Sequence, residues 1–394
     1  QRLELYRSHV DKLIDQGDAY HCFCSRERLD AMRSAQQKIK QTPKYDRTCL
    51  ALSSDEINQK LTAGESHVVR LKIPEGETVI NDIIRGTVKF QNKEIDDQVI
   101  LKSDGFPTYH LAVVVDDSLM KITHVLRGEE WLSSTPKHII LYDRLGFESP
   151  TYAHVPLLLN PDKSKLSKRQ GDVAVEDYLQ NGYLPQALVN FVGTLGFNPK
   201  SDQEIYTLKE LIDNFDLSKV NKSGAILNVE KLDWMNGQYL RELSEKELVK
   251  AAKPFLQADT NSDLVRRALI IERDRTHRLN QLQEKIEPYL QIPAYNAEIL
   301  VWKKSDASDA LLQLKNVKEF LSTVSDSDFE AIDVIEEKIK GYIEANELSN
   351  GNVLWPVRVA LSGQERSASP FDFLWVLQRD ESIKRLDNAI GSLV

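Results

Sequence analysis

The sequence predicts a multidomain protein, α/β in its first half and all-α beyond about residue 183. Three observations carry this. The runs Val68-Val69-Arg70-Leu71-Lys72-Ile73, Thr87-Val88-Lys89-Phe90 and Val99-Ile100-Leu101-Lys102 alternate or run apolar between Pro74, Gly76 and Asn92, a strand-and-turn pattern. Further on, His154-Val155-Pro156-Leu157-Leu158-Leu159 reads as a short buried strand, and a basic loop leads from it to a helix entry marked by Glu176 and Asp177. From Pro185 onward apolar residues recur every three to four positions, the period of an amphipathic helix.

Bulk properties narrow the class. A chain of 394 residues and 45.0 kDa with 41 % hydrophobic content can build several ordinary cores. A net charge of −9 argues against a generic nucleic-acid coat, which should be basic, while leaving room for local cation clusters that meet phosphates. The 3 cysteines all fall within the first 49 residues and do not form a secreted disulfide framework. No apolar run reaches the length of a membrane span, so the expected setting is cytoplasmic, with no membrane partner and no DNA partner.

Taken in order, residues 1–17 open inside an amphipathic helix, with Gln1-Arg2-Leu3-Glu4-Leu5-Tyr6 and then Val10, Leu13 and Ile14 falling on one face. Next comes Tyr20-His21-Cys22-Phe23-Cys24, and Cys49 follows after 24 intervening residues, 25–48. Two thiolates in a Cys-x-Cys turn plus a distant third can organise a tetrahedral Zn²⁺ site; three buried, reduced cysteines are the plainer reading. Lys38, Lys40, Lys44 and Arg47 lie between them with few acids, as on a solvated helix or a phosphate-facing one. Asp104-Gly105 marks a turn. Residues 122–126 then read as a strand with Arg127-Gly128-Glu129-Glu130 at its carboxyl end. Ser134-Thr135-Pro136 supplies cap residues and an early proline for a helix ending near Leu145-Gly146. A guanidinium at a strand end can hold a carboxylate bidentately, or pair with Glu129, Glu130 or Asp116.

The loop Asn160-Pro161-Asp162-Lys163-Ser164-Lys165-Leu166-Ser167-Lys168-Arg169-Gln170-Gly171-Asp172 suits a triphosphate. Lys165 and Lys168 are compact cations, Ser167 supplies a hydroxyl, and Gly171 lets the backbone turn. A solvated basic loop would read similarly, but a position just after a strand is where open α/β sheets bind ligands. Helices are then expected over 185–196, 208–215, 229–235, 245–256, 310–321, 328–344 and 371–390. Arg266, Arg267, Arg273, Arg275 and Arg278 crowd one region against only Glu272 and Asp274, as in a solvated amphipathic helix or a nucleic-acid contact.

At Lys165-Leu166-Ser167-Lys168-Arg169 the sequence resembles the K-M-S-K-S signature of class I aminoacyl-tRNA synthetases, with Leu166 for Met and Arg169 for the last Ser, in the form found in bacterial-type glutamyl-tRNA synthetases. The resemblance continues through Leu101-Lys102-Ser103-Asp104-Gly105-Phe106-Pro107-Thr108-Tyr109-His110-Leu111-Ala112 and Val115-Asp116-Asp117, which resemble the family's strand pair entering the second half of its catalytic domain. It extends to Ile122-Thr123-His124-Val125-Leu126-Arg127-Gly128-Glu129-Glu130-Trp131, Ser134-Thr135-Pro136 and Leu232-Asp233-Trp234-Met235-Asn236-Gly237-Gln238-Tyr239-Leu240.

The resemblance implies the second half of a Rossmann-type catalytic domain with an inserted α+β acceptor-binding module and a C-terminal helical anticodon-binding region. Its segments would be a remnant helix at 1–17, the insert at 18–117, the catalytic half at 118–182, a helical stem-contact domain at 183–244 and the anticodon-binding region at 245–394. It further implies a monomeric ligase that activates L-glutamate with ATP and Mg²⁺ and transfers it to tRNA(Glu). Lys165, Leu166, Ser167, Lys168 and Arg169 would bind ATP, with Lys168 the principal transition-state cation and Lys165 and Ser167 shaping the loop. Arg127 would hold the glutamate side-chain carboxylate and Tyr109 would line the pocket; Val113 stands where some relatives have Asn. Arg47, Arg273 and Arg358, the last within Trp355-Pro356-Val357-Arg358, would meet tRNA. Zinc-containing members share the cysteine spacing, but Ala51 stands where some have a further ligand. Tyr45 matches a Tyr-x-x-x-Cys pattern and is the candidate fourth ligand, with His21 or water as alternatives. The family's H-I-G-H motif is not present, so the expectation is an N-terminally truncated chain that binds tRNA without charging it at an appreciable rate. The alternative is a non-catalytic tRNA-binding protein derived from a synthetase.

Overall fold

The computed structural model describes residues 2–166, 174–197 and 203–394. The chain forms two compact units, one of Gln1–Leu166, Thr194–Asp202 and Ile212–Leu227, the other of Ser167–Gly193, Gln203–Leu211 and Asn228–Val394.

The first unit opens with α1 (Leu3–Asp15), whose Val10 and Leu13 enter a core. Strand β1 (Ala19–Cys22) precedes α2 (Arg26–Lys38), capped by Ser25, and α3 (Ser54–Thr62), closed by a Ser53–Glu56 capping box. β2 (Val68–Leu71), β3 (Glu77–Asp82), β4 (Gly86–Gln91) and β5 (Val99–Leu101) follow, then α4 (Tyr109–Leu119), β6 (His124–Gly128), α5 (Thr135–Leu145), β7 (Thr151–Val155), β8 (Leu158–Leu159) and β9 (Ala225–Ile226). Strands β1-β2-β5 make an antiparallel sheet. A second sheet has the order β4-β3-β7-β6, antiparallel at β3–β4 and parallel on both sides of β7. β3 alternates exposed and buried residues from Glu77 to Asp82, a period-2 signal that the turn residues around it masked. Its pairing with β7 joins residues of the expected insert to the sheet of the expected catalytic half.

Two expectations need correction here. Residues 109–119 form a helix rather than part of a strand pair, because Leu111, Val114 and Val115 share one helical face and are fully buried in the same core as Val10 and Leu13. Burial of that face overrides the strand preference of the Val113-Val114-Val115 run. The single strand expected over 154–159 is broken at Pro156, which has no N–H for a ladder; β7 ends at Val155 and β8 pairs with β9 instead. Helix α5 has the expected limits, with Gly146 left-handed at φ 71° after it, but Ser134 makes no side-chain cap.

The second unit is helical. It contains α6 (Val175–Gln180), α7 (Pro185–Leu195) up to Gly193, the first turn of α8 (Leu208–Asn214), α9 (Val229–Glu242), α10 (Glu245–Ala252), α11 (Asp263–Arg273) and α12 (Leu282–Leu290). α13 (Ala307–Thr323), α14 (Ile332–Ala345), α15 (Asn350–Ser362) and α16 (Pro370–Ser392) complete it. One core runs from Leu184 to Ala389, with the Tyr289 and Phe373 rings stacked at 4.1 Å. The buried Arg385 is satisfied by the carbonyls of Pro288, Leu361 and Tyr289 at 2.6–2.7 Å and by Glu381 at 3.2 Å. Helix α16 breaks its geometry at Gln378, whose amide donates to the carbonyls of Phe329 and Trp375. Among the described residues no helix is long and apolar enough to cross a membrane.

Candidate active site

The parallel pairing of β6 and β7 sets Arg127 directly beside His154. β3 brings Asp82 to the other side of His154, and α5 supplies Thr135 and His138 one turn apart. From this frame Arg127 Nε donates to His154 Nε2 at 3.1 Å, Nη2 donates to Thr135 Oγ1 at 2.7 Å, and Nη1 donates to His138 Nδ1 at 3.4 Å. The guanidinium also lies 5.3 Å from the Tyr152 ring centre and 5.8 Å from that of Trp131.

These contacts assign the tautomers. His154 Nδ1 is 2.7 Å from Asp82 Oδ2, so it carries the proton and donates, leaving Nε2 to accept from Arg127. His138 accepts from Arg127 at Nδ1, so its Nε2 donates to His110 Nδ1 at 2.9 Å. All three rings are neutral. Burial, then the Arg127 charge, brings the His138 pKa down to about 3. Burial, then Lys137 and Arg127, lowers His110 to about 4. Burial lowers His154 despite the opposing pull of Asp82. Burial alone would raise Asp82, but hydrogen bonds from the Arg85 amide and from His154 outweigh it and keep the carboxyl ionised.

An arginine has five N–H donors, and the neighbours take one on Nε, one on Nη1 and one on Nη2. One N–H on each terminal nitrogen is left. The carboxylates proposed as partners from sequence are occupied elsewhere: Glu129 binds Arg85 at 2.6 Å, Glu130 binds Lys165 at 3.6 Å, and Asp116 binds Arg2 at 3.1 Å and the Tyr6 hydroxyl. Among the described residues Arg127 forms no ion pair, although Asp117 feels its charge, and the half-buried guanidinium keeps two N–H donors with no described partner. Two such donors match the two oxygens of a carboxylate. Tyr109 is 49 % exposed and packs on Trp131 with ring centres 4.9 Å apart, forming an aromatic wall that also approaches His138.

The basic loop begins as a small hairpin. Asn160 N donates to Ser164 O, Leu166 N donates to Leu158 O, and Asp162 receives the Ser164 amide and hydroxyl. This presents the exposed Lys165 above Glu130. Ser167, Lys168 and Arg169 lie outside the described residues.

The cysteines do converge. The sulfurs of Cys22, Cys24 and Cys49 lie within 4.8 Å of one another, Cys24 and Cys49 at 3.5 Å. The Tyr45 hydroxyl sits 3.4 Å from Cys22 and 3.3 Å from Cys24, accepts the Cys49 amide at 3.0 Å, and has its ring covered by the Arg70 guanidinium. Burial would raise the Cys22 thiol, but hydrogen bonds with Tyr45 and Arg70 bring it below its ordinary value, while burial pushes Cys24 up to about 11. Three sulfurs this close fit three positions of a tetrahedral Zn²⁺; burial and the neighbouring thiols raise the pKa of the Tyr45 hydroxyl beside them. His21 is not in the group; its ring faces His67 at 4.9 Å.

The other sequence candidates have internal partners. Arg47 binds the fully buried Asp97 at 2.7 Å and the Ile73 carbonyl. Arg273 binds Asp274 and the Leu243 carbonyl. Arg358 stacks on Trp355 at 4.7 Å and donates to the Glu365 carbonyl. Sequence reasoning missed Asp82, Thr135, His110, His138 and His154. The available signal was the run of His110, His138 and His154 on successive elements around Arg127, three of the 8 histidines.

The Arg127 cluster thus sits on the parallel β3-β7-β6 strands of the first unit, a hairpin leads into the basic loop, and the described residues of the second unit are helical. The catalytic-domain model of class I tRNA synthetases (E and Q) matches residues 1–234, and an anticodon binding domain model matches residues 247–390. The glutamate–tRNA ligase of Chloroherpeton thalassium is 41 % identical over 417 residues, covering 100 % of this chain and 82 % of its own length. That of Dehalococcoides mccartyi is 43 % identical over 403 residues, covering 100 % and 81 %. A crystal structure of a glutamate tRNA ligase from Elizabethkingia meningosepticum in complex with its amino acid superposes with a TM-score of 0.89 at 30 % identity, covering 100 % of this chain and 83 % of that one. The chain belongs to the glutamate–tRNA ligase family of class I tRNA synthetases.

Proposed function

We propose that the protein is a glutamate–tRNA ligase in which Arg127 receives the side-chain carboxylate of L-glutamate. The observation that carries this is Arg127 itself, held by three uncharged neighbours and, among the described residues, in no ion pair. Tyr109 walls the pocket. The glutamate α-carboxylate attacks the α-phosphorus of ATP, pyrophosphate leaves, and the terminal ribose hydroxyl of tRNA(Glu) then displaces AMP from the glutamyl-adenylate. Positioning and charge compensation suffice for such a reaction, with no protein nucleophile. Lys165, Leu166, Ser167, Lys168 and Arg169 form this chain's part of the ATP site, with Lys168 the principal cation, and Mg²⁺ accompanies the nucleotide. Cys22, Cys24, Cys49 and Tyr45 would hold a structural Zn²⁺ that ties β1 to the segment around Cys49.

tRNA contact belongs to the same proposal. Arg47, Arg273 and Arg358 keep their internal hydrogen bonds and offer their remaining N–H groups to phosphate or base. The proposed setting is a cytoplasmic monomer. None of the 8 histidines stands in a His-x-Gly-His pattern, and the 394-residue chain is proposed to bind tRNA(Glu) while charging it at a negligible rate. Filter binding of tRNA(Glu) and ATP-dependent charging with labelled glutamate, run side by side on the purified chain, test this. Retained tRNA with little charged product is expected. Failure to bind tRNA(Glu) would overturn the ligase reading, and full-rate charging would overturn the inactivity of this chain.

A further inference from the structure

We infer that His154, pinned by Asp82, is a positioning residue that sets the glutamate-binding edge of Arg127; the inference rests on the role proposed above for Arg127. A guanidinium on a three-carbon stem has many rotamers, and an unpaired one beside a sheet would sweep a wide arc. Here the Nε–H, the donor nearest the stem, is taken by His154 Nε2. The Nη2 group on the same edge is taken by Thr135, whose oxygen lies 3.1 Å from that same His154 nitrogen. His154 and Thr135 therefore occupy one whole edge of the guanidinium and leave its remaining N–H groups for a ligand.

The arrangement works only if His154 presents a lone pair at Nε2. With the proton there instead, two donors would face each other at 3.1 Å. Asp82 prevents this by accepting the Nδ1 proton at 2.7 Å, and Asp82 is itself immobile. Its oxygens also take the amides of Ile84, Arg85 and His154, and both side chains are 0 % exposed. A buried carboxylate held by the β3–β4 turn thus fixes a tautomer, and the tautomer fixes an arginine. A core histidine with no part in selectivity would not need its second nitrogen aimed at the site cation.

Asp82 also supports the backbone, so the informative variants are at His154. In His154→Asn the amide nitrogen falls near the place of Nδ1 and keeps the Asp82 hydrogen bond, while nothing reaches Arg127. In His154→Gln the longer amide returns an oxygen acceptor to Arg127. L-glutamate binding to the full chain by equilibrium dialysis, with tRNA(Glu) binding as the control for folding, should show His154→Asn about tenfold weaker or more and His154→Gln recovering most of the loss. tRNA(Glu) affinity should be unchanged in both. Glutamate affinity equal to wild type in His154→Asn, or no recovery in His154→Gln, overturns the inference. If Arg127→Ala abolishes glutamate binding and His154→Asn does not weaken it, only this inference fails; if Arg127→Ala is without effect, the reading of the site fails first. Imidazole ¹⁵N spectra of the unmutated chain give a test free of variants: His154 should be protonated at Nδ1 and bare at Nε2, and the opposite tautomer overturns the inference.

Discussion

Replacing His138 by glutamine should flatten the acid limb of stability of the first unit. His138 is 1 % exposed, and burial next to Arg127 lowers its pKa to about 3. In the unfolded chain it titrates at about 6.5. The unfolded state therefore binds more protons than the folded one between those values. Stability is at its full value above about pH 6.5 and is lost as pH falls toward the folded pKa. For one such group, linkage gives a loss of about 2 kcal/mol between pH 7.5 and pH 5. His110, lowered to about 4 and hydrogen-bonded to His138, acts in the same direction. Carboxylates contribute their own pH dependence, so the useful quantity is the difference between wild type and His138→Gln. Urea unfolding at pH 7.5, 6.5, 5.5 and 5.0, followed by amide exchange in α5, should give a wild-type loss about 2 kcal/mol larger than that of the variant. Parallel curves, or an NMR titration placing His138 near 6.5, would refute the neutral, buried assignment and with it the tautomer chain around Arg127.

Other outcomes follow from the same geometry. Cys22→Ser should lower Zn²⁺ content by atomic absorption from about one per chain to a small fraction, since it removes one of only three sulfurs; unchanged content would remove the site. Gly182→Ala should destabilise the second unit by about 2 kcal/mol or more in thermal unfolding, because Gly182 has φ +87° and a Cβ there would sit 2.5 Å from the Asn280 amide nitrogen. Arg385→Ala should cost about 3 kcal/mol by leaving Glu381 and three buried carbonyls short of a donor; a melting temperature within error of wild type would contradict that.

The helical second unit was largely legible because its elements have period 3.6 and polar caps, as in Ser244-Glu247 and Ser369-Asp372. Helix α15 escaped because Pro356 reads as a breaker, although the proline is buried within the helix. In the first unit, α4 was misread because its valines suit a strand until the face formed by Leu111, Val114 and Val115 is seen to pack in the core. The cysteine cluster was legible from spacing alone, whereas His21 was excluded as a ligand only by its outward direction in β1. Arg127 stood out in the sequence as a cation at a strand end. What holds it did not, because Asp82, the pair Thr135 and His138, and His154 lie on three different elements, β3, α5 and β7, and only the β3-β7-β6 order brings them to Arg127.

The central claim is that the spare edge of Arg127 selects a side-chain carboxylate. Equilibrium dialysis of L-glutamate and L-glutamine against wild type and Arg127→Ala tests it directly. Wild type should favour glutamate, since a neutral amide leaves the guanidinium without a counterion, and the variant should lose both affinity for glutamate and the preference. Equal binding of the two amino acids by wild type, or a preference that survives in Arg127→Ala, would contradict the account.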